Sequence, residues 1–147
     1  MEGFNNIIYN QKYIIIYALN FIKVYENYTK QNIFTYYILK DDLITDIQFN
    51  PILDNIILVS FSKGFCKIYE IVKNKIEEKI NFEGIYDQLI VKSKFSYLNP
   101  NIIASLNFFK AIIIWDVRYK KYINIIRNSK ENKGEKKKKL EEKKEEK

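Results

Sequence analysis

Short apolar runs alternate with polar turn residues along most of the chain. The runs are rich in Ile, Val, Tyr and Phe, and the residues between them are mainly Asn, Asp, Gly and Lys. Because β-branched and aromatic residues favour strands and the intervening residues favour tight turns, the pattern predicts an all-β fold. The predicted strands are 13–18, 21–26, 33–39, 43–49, 55–60, 65–71, 75–82, 89–95, 101–106, 111–117 and 122–126.

The strands recur with a period close to 46 residues. Three pairs of apolar residues share this separation: Phe49 and Phe95, Ile57 and Ile103, and Tyr69 and Trp115. Because three separations agree, segments 43–82 and 89–126 are predicted to be copies of one four-stranded unit. A weaker earlier copy covers 13–39, with Tyr25 standing 44 residues before Tyr69, and it is predicted to lack its own first strand.

An aromatic residue followed by an acid closes the third strand of each copy. The three pairs are Tyr25-Glu26, Tyr69-Glu70 and Trp115-Asp116. With this period and four strands per repeat, residues 13–126 resemble the WD-repeat family, although only Trp115-Asp116 matches its motif literally. The resemblance implies β-propeller blades, in which the aromatic residue fills space between neighbouring blades and the acid lies at the strand end. The other residues that define the repeat are Phe49, Ser60, Phe95 and Ser105.

The polar residues of the repeat depart from the family pattern. The Gly-His pair that usually opens a repeat is absent, because the chain has no histidine. The acid expected before the third strand is replaced by Lys63-Gly64 and by Phe109-Lys110. The usual His-Ser-Asp-Trp hydrogen-bond network is therefore not expected. Blade packing is predicted to depend on apolar contact, with Ser60 and Ser105 as remnants of the polar set.

The predicted units are too few to close a propeller. Three strands of one blade and two complete blades make about 2.75 blades, whereas a closed ring needs about four to eight. We therefore expect an incomplete ring over residues 1–128, with apolar surfaces exposed on the terminal blades. Three interpretations fit: a fragment or truncated gene model of a longer protein, an open propeller completed by another chain, or self-association into a larger ring.

The charged residues predict a C-terminal tail but do not indicate a nucleic-acid-binding site. Residues 129–147 are almost entirely Lys and Glu, with Leu140 as the sole apolar residue, so a disordered, solvated segment is predicted. The formal net charge of the chain is +7, and the tail contributes part of it. The charge left for residues 1–128 is too mild to indicate nucleic-acid binding.

Several classes of chemistry lack the residues that they need. Without histidine, Ser-His-Asp and Cys-His catalysis and zinc-finger sites are excluded, and Cys66 is the single cysteine. The four glycines are scattered, so no phosphate-binding loop is predicted. The sequence has no run of 18 consecutive apolar residues, so it predicts no membrane-spanning helix. We therefore expect a non-enzymatic protein of the cytoplasm or nucleus, without cofactor or metal.

The family resemblance implies a protein–protein interaction scaffold. Propellers present their loops as a rigid platform, and here the candidate loops are 62–64, 82–88 and 107–110. The candidate partner-binding residues in these loops are Lys63, Phe108, Phe109 and Lys110. The expected partners are other proteins, including whatever completes the propeller.

Two alternative hypotheses rest on narrower resemblances. Trp115-Asp116-Val117-Arg118 looks like the WDxR box of substrate receptors of cullin-type ubiquitin ligases, in which Arg118 would contact the adaptor. Segments 50–51, 54–57, 68–71 and 111–115 look like the early blades of coronins, which would imply actin binding.

Overall fold

A computed structural model of the chain describes residues 6–38, 42–82 and 88–127, and its regular structure there is entirely β. The strands are β1 Asn6–Tyr9, β2 Tyr13–Ala18, β3 Phe21–Glu26, β4 Asn32–Tyr37, β5 Ile44–Phe49, β6 Ile56–Phe61, β7 Cys66–Val72, β8 Lys75–Asn81, β9 Ile90–Phe95, β10 Ile102–Asn107, β11 Ile112–Asp116 and β12 Lys121–Ile126. They form three four-stranded antiparallel sheets, β1–β4, β5–β8 and β9–β12, each with its strands in chain order.

All eleven strands predicted from the sequence are confirmed, with ends that differ by one or two residues where they are described. The predicted tail at 129–147 and most of the candidate loop at 82–88 lie outside the described residues. Within the described residues, no helix is long and apolar enough to cross a membrane.

The prediction that the first repeat lacks its first strand is wrong. β1 pairs with β2 over four residues, so the described residues form three complete four-stranded sheets rather than 2.75 blades. β1 is short, pairs on one side only and is largely exposed, so it has little apolar periodicity. The turn that follows β1 carried the missing signal, because Tyr9-Asn10 matches Phe49-Asn50 at the end of β5.

The turn after the first strand of every sheet is held by one capping side chain. Asn10 Oδ1 accepts backbone N–H groups from Lys12 and Tyr13 at 2.9 and 2.7 Å. Asn50 Oδ1 binds two N–H groups in the second sheet in the same way, and Ser96 Oγ does so in the third. Such side chain to backbone bonds stabilise turns, so these three loops have a defined shape.

The aromatic residue of each repeat occupies the same structural position. The pairing between the third and fourth strands of each sheet shifts register directly before Tyr25, Tyr69 and Trp115. Each of these aromatic residues is followed by the acid of its pair, Glu26, Glu70 or Asp116. The three aromatic–acidic pairs therefore occupy the same register position, next to a bulge, in their sheets.

The sheets pack face to face through two apolar layers. One layer joins the first and second sheets around residues such as Ile15, Val24 and Ile57, and the other joins the second and third around Leu58 and Trp115. Full burial of one large apolar side chain contributes about 1.5–3 kcal/mol. The second sheet is covered on both faces, and five of the six residues of β6 are buried.

Successive residues of a strand point to opposite faces, so each sheet has two distinct surfaces. We call the face that is turned toward the following sheet the forward face, and the face turned toward the preceding sheet the backward face. On β6, Leu58 and Ser60 lie on the forward face, and Ile57 and Val59 lie on the backward face. In the first sheet the backward face has no neighbouring sheet among the described residues, and in the third sheet the forward face has none.

The turns between the second and third strands include a lysine in a conformation that favours glycine. Lys110 has φ 60°, and Gly64, at the equivalent position of the second sheet, has φ 89°. Both N–H groups donate to the carbonyl three residues earlier, Lys110 to Asn107 at 3.1 Å and Gly64 to Phe61 at 3.2 Å. A β-carbon in this region costs about 1–2 kcal/mol.

We expect Lys110→Gly to stabilise the fold by about 0.5–1 kcal/mol, since part of the relieved strain is offset by the greater backbone freedom of glycine when unfolded. Gly64→Ala is the matched control and should destabilise by about 1 kcal/mol. Denaturant midpoints measure both changes. A lower midpoint for Lys110→Gly would contradict the strain argument.

Candidate functional site

A chain of buried polar groups connects the second and third sheets. Trp115 is fully buried, and its Nε1–H donates to Ser105 Oγ at 2.8 Å. Ser105 Oγ lies 2.6 Å from Ser93 Oγ, which accepts a hydrogen bond from Ser60 Oγ at 2.7 Å. Cys66 Sγ lies 3.3 Å from Ser93 Oγ, within hydrogen-bonding distance. Because buried hydroxyls are costly when unpaired, this network fixes how the two sheets meet.

Asp46 extends the network on the second sheet. Its Oδ2 accepts the backbone N–H of Ser93 at 3.2 Å, and the Gln48 side chain donates to both carboxylate oxygens. Burial raises the pKa of Asp46, although the N–H of Ser93 and the Gln48 amide offset part of the effect. The folded state is therefore more stable when the Asp46 carboxyl is neutral than when it is ionised.

The sequence prediction of apolar packing with two serine remnants is corrected here. Ser60 and Ser105 do form part of a polar set, but its central member is Ser93, which the sequence prediction missed. Ser60 and Ser105 are also not equivalent, because Ser60 lies on a forward face and Ser105 on the backward face that meets it. Ser105 stands 46 residues after Val59 rather than after Ser60.

The chemistry available at Cys66 is that of a structural thiol. Its side chain is fully buried, and burial raises its pKa despite nearby serine hydroxyls. The thiol is therefore protonated at neutral pH and closed to solvent, whereas a nucleophilic cysteine needs an accessible thiolate. This cluster joins two sheets and leaves no reacting group open to a substrate.

The burial of the other residues that define the repeat depends on which sheet and which face they belong to. Tyr69 is buried against the first sheet, with its ring 6.1 Å from that of Tyr36, and Phe95 is buried against the second sheet. Phe49 is partly buried at the end of β5. Tyr25 is only half-buried, because it lies on the backward face of the first sheet.

Four of the five candidate partner-binding residues lie at one end of the sheets. Lys63, Phe108, Phe109 and Lys110 are in turns between second and third strands, which share one end of an antiparallel stack. Lys63 Nζ lies 3.4 Å from Asp42 Oδ1 in an exposed ion pair. Phe108 and Phe109 are exposed, and their rings meet edge to face with centroids 5.8 Å apart.

Arg118 lies at the opposite end and is already engaged. Its Nε and Nη2 donate to the two carboxylate oxygens of Asp116 at 3.0 and 2.6 Å, and its guanidinium lies over the ring of Tyr119. This pairing lowers the pKa of Asp116. A partner that binds Arg118 through an acid must therefore compete with Asp116.

The end that carries Arg118 also contains a cleft that sequence reasoning missed. Its volume is about 850 Å³, and β1, the end of β5 and the turns that follow these two strands form most of its lining. The lining includes Tyr9, Phe49, Pro51, Ile52 and, from the third sheet, Tyr97. The signal in the sequence was the presence of apolar side chains inside turns, at 51–53 and 97–98.

Comparisons with known proteins support the fold and give no family. No family model matches the chain, and no curated protein sequence matches it. Among 513 matching chains of solved structures is the crystal structure of the computationally designed Ika8 protein, with a TM-score of 0.62 and 23% sequence identity. The match covers 83% of this chain but 37% of the designed chain. The repeated four-stranded sheets are consistent with a β-propeller-like fold.

Phe82 and Gln88, at the two ends of the candidate loop 82–88, make structural contacts. Phe82, predicted at the start of a rim loop, is fully buried against Trp115, with ring centroids 5.7 Å apart. At the other end of the same loop, Gln88 Oε1 accepts a 2.6 Å hydrogen bond from Asn107 Nδ2. Both contacts hold the third sheet in place, so these two residues are not free to bind a partner.

Proposed function

We propose that the chain is a divergent WD-repeat propeller segment that acts as a non-catalytic scaffold and binds other proteins at the cleft. The observation that carries the proposal is this cleft of about 850 Å³, bordered by exposed apolar side chains on capped turns. The aromatic–acidic series and the hydrogen bond from Trp115 to Ser105 support the WD-repeat part.

The border of the cleft has the composition of a protein-binding surface. Tyr97, which is 79% exposed, and Ile52, which is 67% exposed, line the cleft, and Leu98, which is 98% exposed, follows Tyr97 in the same turn. Large apolar side chains that cluster at the surface mark interaction sites, and tyrosine is a frequent centre of binding energy. Ile52 and Leu98 are 46 residues apart, so consecutive repeats present apolar side chains at matching positions.

The turns around the cleft are fixed before any partner arrives. Asn10 Nδ2 donates to the carbonyl of Asp54 at 2.8 Å, which ties the first-sheet turn to the second-sheet turn. Asn27 Nδ2 donates in turn to the carbonyl of Asn10 at 2.8 Å. A preorganised surface loses little conformational entropy on binding, so modest contacts give useful affinity.

The side chains of the cleft define the kind of partner. The lining mixes apolar and polar side chains, and the cleft is open to solvent. Among the polar ones are Gln11 and Gln48, and the Nε2 atom of Gln48 also donates to Asp46. We infer that the partner inserts a loop or extended segment with one or two large apolar side chains and an unpaired backbone that the amides can bind.

The test compares proteins that are captured by the full chain and by two variants. Tyr97→Asp combined with Ile52→Asp should reduce the capture of specific partners by about tenfold or more, measured by quantitative mass spectrometry. Phe108→Asp, at the opposite end, is the matched control and should leave capture unchanged. Equal capture by the wild type and the cleft variant would refute the proposed site.

A further inference from the structure

The outer face of the first sheet repeats a face that is already buried inside the molecule. The backward face of the second sheet, which packs on the first sheet, has four central residues on β6 and β7: Ile57, Val59, Lys67 and Tyr69. The same register positions on the backward face of the first sheet are Ile14, Ile16, Lys23 and Tyr25. Position by position, the two sets contain the same kinds of residue: an isoleucine, a second aliphatic residue, a lysine and a tyrosine. Only the second-sheet set is covered by a neighbouring sheet.

The outer face of the third sheet is the matching counterpart. The forward face of the first sheet packs on the second sheet through Ile15, Tyr17, Ile22 and Val24. At the same register positions, the forward face of the third sheet has Ala104, Leu106, Ile112 and Ile114. All of these are apolar, and Leu106 and Ile112 are each 41% exposed.

We propose that the chain associates head to tail with a second copy of itself. The forward face of the third sheet of one copy packs on the backward face of the first sheet of the other, and this contact repeats the junction between the first and second sheets. Such a contact joins two different surfaces, so it closes only when a ring forms. Each copy contributes three sheets, so two copies bring together six. Six blades lie within the range of about four to eight that closed propellers have.

The charges of the two faces make the association sensitive to salt in a specific direction. Lys92 and Lys94 lie beside Leu106 and Ala104 on the forward face of the third sheet, and Lys23 lies on the backward face of the first. Because both faces are positively charged and their centres are apolar, added salt should screen repulsion and strengthen association. A contact based on opposite charges would weaken instead.

The experiment measures the mass of the full 147-residue chain by sedimentation velocity over a range of protein concentrations. We expect a dimer, and added salt should shift the equilibrium toward it. Leu106→Lys blocks the forward face and Ile16→Lys blocks the backward face. Each variant alone should dissociate into monomers, with the association constant lowered by about tenfold or more.

Mixing the two variants distinguishes a head-to-tail contact from other kinds. The Ile16→Lys copy keeps an intact forward face and the Leu106→Lys copy keeps an intact backward face, so the mixture should form a dimer with one junction. A wild type that is monomeric at every concentration, self-association of either variant alone, or a mixture that stays monomeric would each overturn the proposal.

Two controls separate association from folding and from partner binding. Leu106→Gln and Ile16→Gln repeat the test with smaller perturbations, and emission from buried Trp115 reports that each variant is folded. Leu98→Lys lies in the turn beside the cleft and should leave the dimer intact, whereas loss of the dimer in this variant would count against the proposal. Ile16 pairs with Ile7, which lines the cleft, whereas Leu106 lies on the third sheet outside it, so partner capture by Leu106→Lys distinguishes a failure here from a failure of the proposed partner site.

Discussion

Trp115→Ala is expected to lower the free energy of unfolding by about 3–5 kcal/mol, the usual cost of removing a buried tryptophan. The side chain is fully buried between Phe82 and Tyr122, whose ring centroids lie 5.7 and 6.3 Å away. Removing it also takes a hydrogen-bond donor from Ser105. The junction between the second and third sheets therefore loses apolar contact and part of its polar network together.

Trp115→Phe separates these two contributions. Phenylalanine keeps most of the apolar volume and loses the N–H donor, so we expect a smaller loss of about 1–2 kcal/mol. Tyr119→Ala removes an exposed aromatic residue from the turn between β11 and β12 and should change stability by less than about 0.5 kcal/mol.

Unfolding by denaturant, followed by far-ultraviolet circular dichroism, measures all three variants without relying on tryptophan emission. The rate at which a thiol reagent modifies Cys66 provides a second readout, because the thiol is buried in the same junction. Trp115→Ala should expose it sooner than the wild type does. If Trp115→Ala were no more costly than Tyr119→Ala, Trp115 would not hold the two sheets together.

The strands and their repeat were predictable because they depend on local residue patterns. Runs of Ile, Val and Tyr between turn residues give eleven of the twelve strands, and the 46-residue spacing identifies Tyr69 and Trp115 as equivalent. β1 was missed because a four-residue edge strand contributes little periodicity. Its capping residue, Asn10, was a better signal than its apolar content.

The buried polar network was less predictable, because it forms between sheets. Ser93 lies between two exposed lysines, so strand alternation places it on the same face as buried Phe95, but the local pattern does not show which hydroxyls of the second sheet it meets. Only one contact of the network follows the repeat: Asp46 binds Ser93, which lies 47 residues later, or one period plus one residue. Ser60 and Cys66 reach Ser93 from other strands of the second sheet, over 33 and 27 residues, so the period does not predict these contacts.

The cleft, which lies at the opposite end of the stack from the predicted loops, was not predictable for a similar reason. Sequence reasoning selected the turns with Lys63 and Phe108, and the cleft lies among the turns after the first strands. A turn of known sequence does not show which other turns share its end of the stack until the strand order is known. The number of strands between two turns then decides this, since the chain reverses direction at each turn.

The second prediction with a large expected effect is the dependence of stability on pH that arises from Asp46. Burial raises the pKa of this carboxyl above its ordinary value of about 3.8, so the folded state favours the neutral form. The stabilising contribution is then fully present below the ordinary value and is lost as the pH rises through the raised pKa. We expect Asp46→Asn, which never ionises, to have a higher free energy of unfolding than the wild type at neutral pH, because it avoids burying a carboxylate.

The shape of the pH dependence is the decisive measurement. Asparagine retains an oxygen that can accept the N–H of Ser93, so the difference between Asp46→Asn and the wild type should be small near pH 4 and grow toward neutral pH. Asp46→Ala also removes the charge but leaves that N–H without its acceptor, so it should follow the same pH trend at a lower stability. A difference between Asn and wild type that stayed constant with pH would show that the carboxyl does not titrate abnormally in the folded protein. Because Asp46 binds Ser93, the partner of both Ser60 and Ser105, acidification should strengthen the junction that Trp115 fills. Acid lowers the thiolate fraction of Cys66 in every variant, so the informative quantity is the rate of Cys66 modification in the wild type divided by the rate in Asp46→Asn, and this ratio should fall as the pH falls.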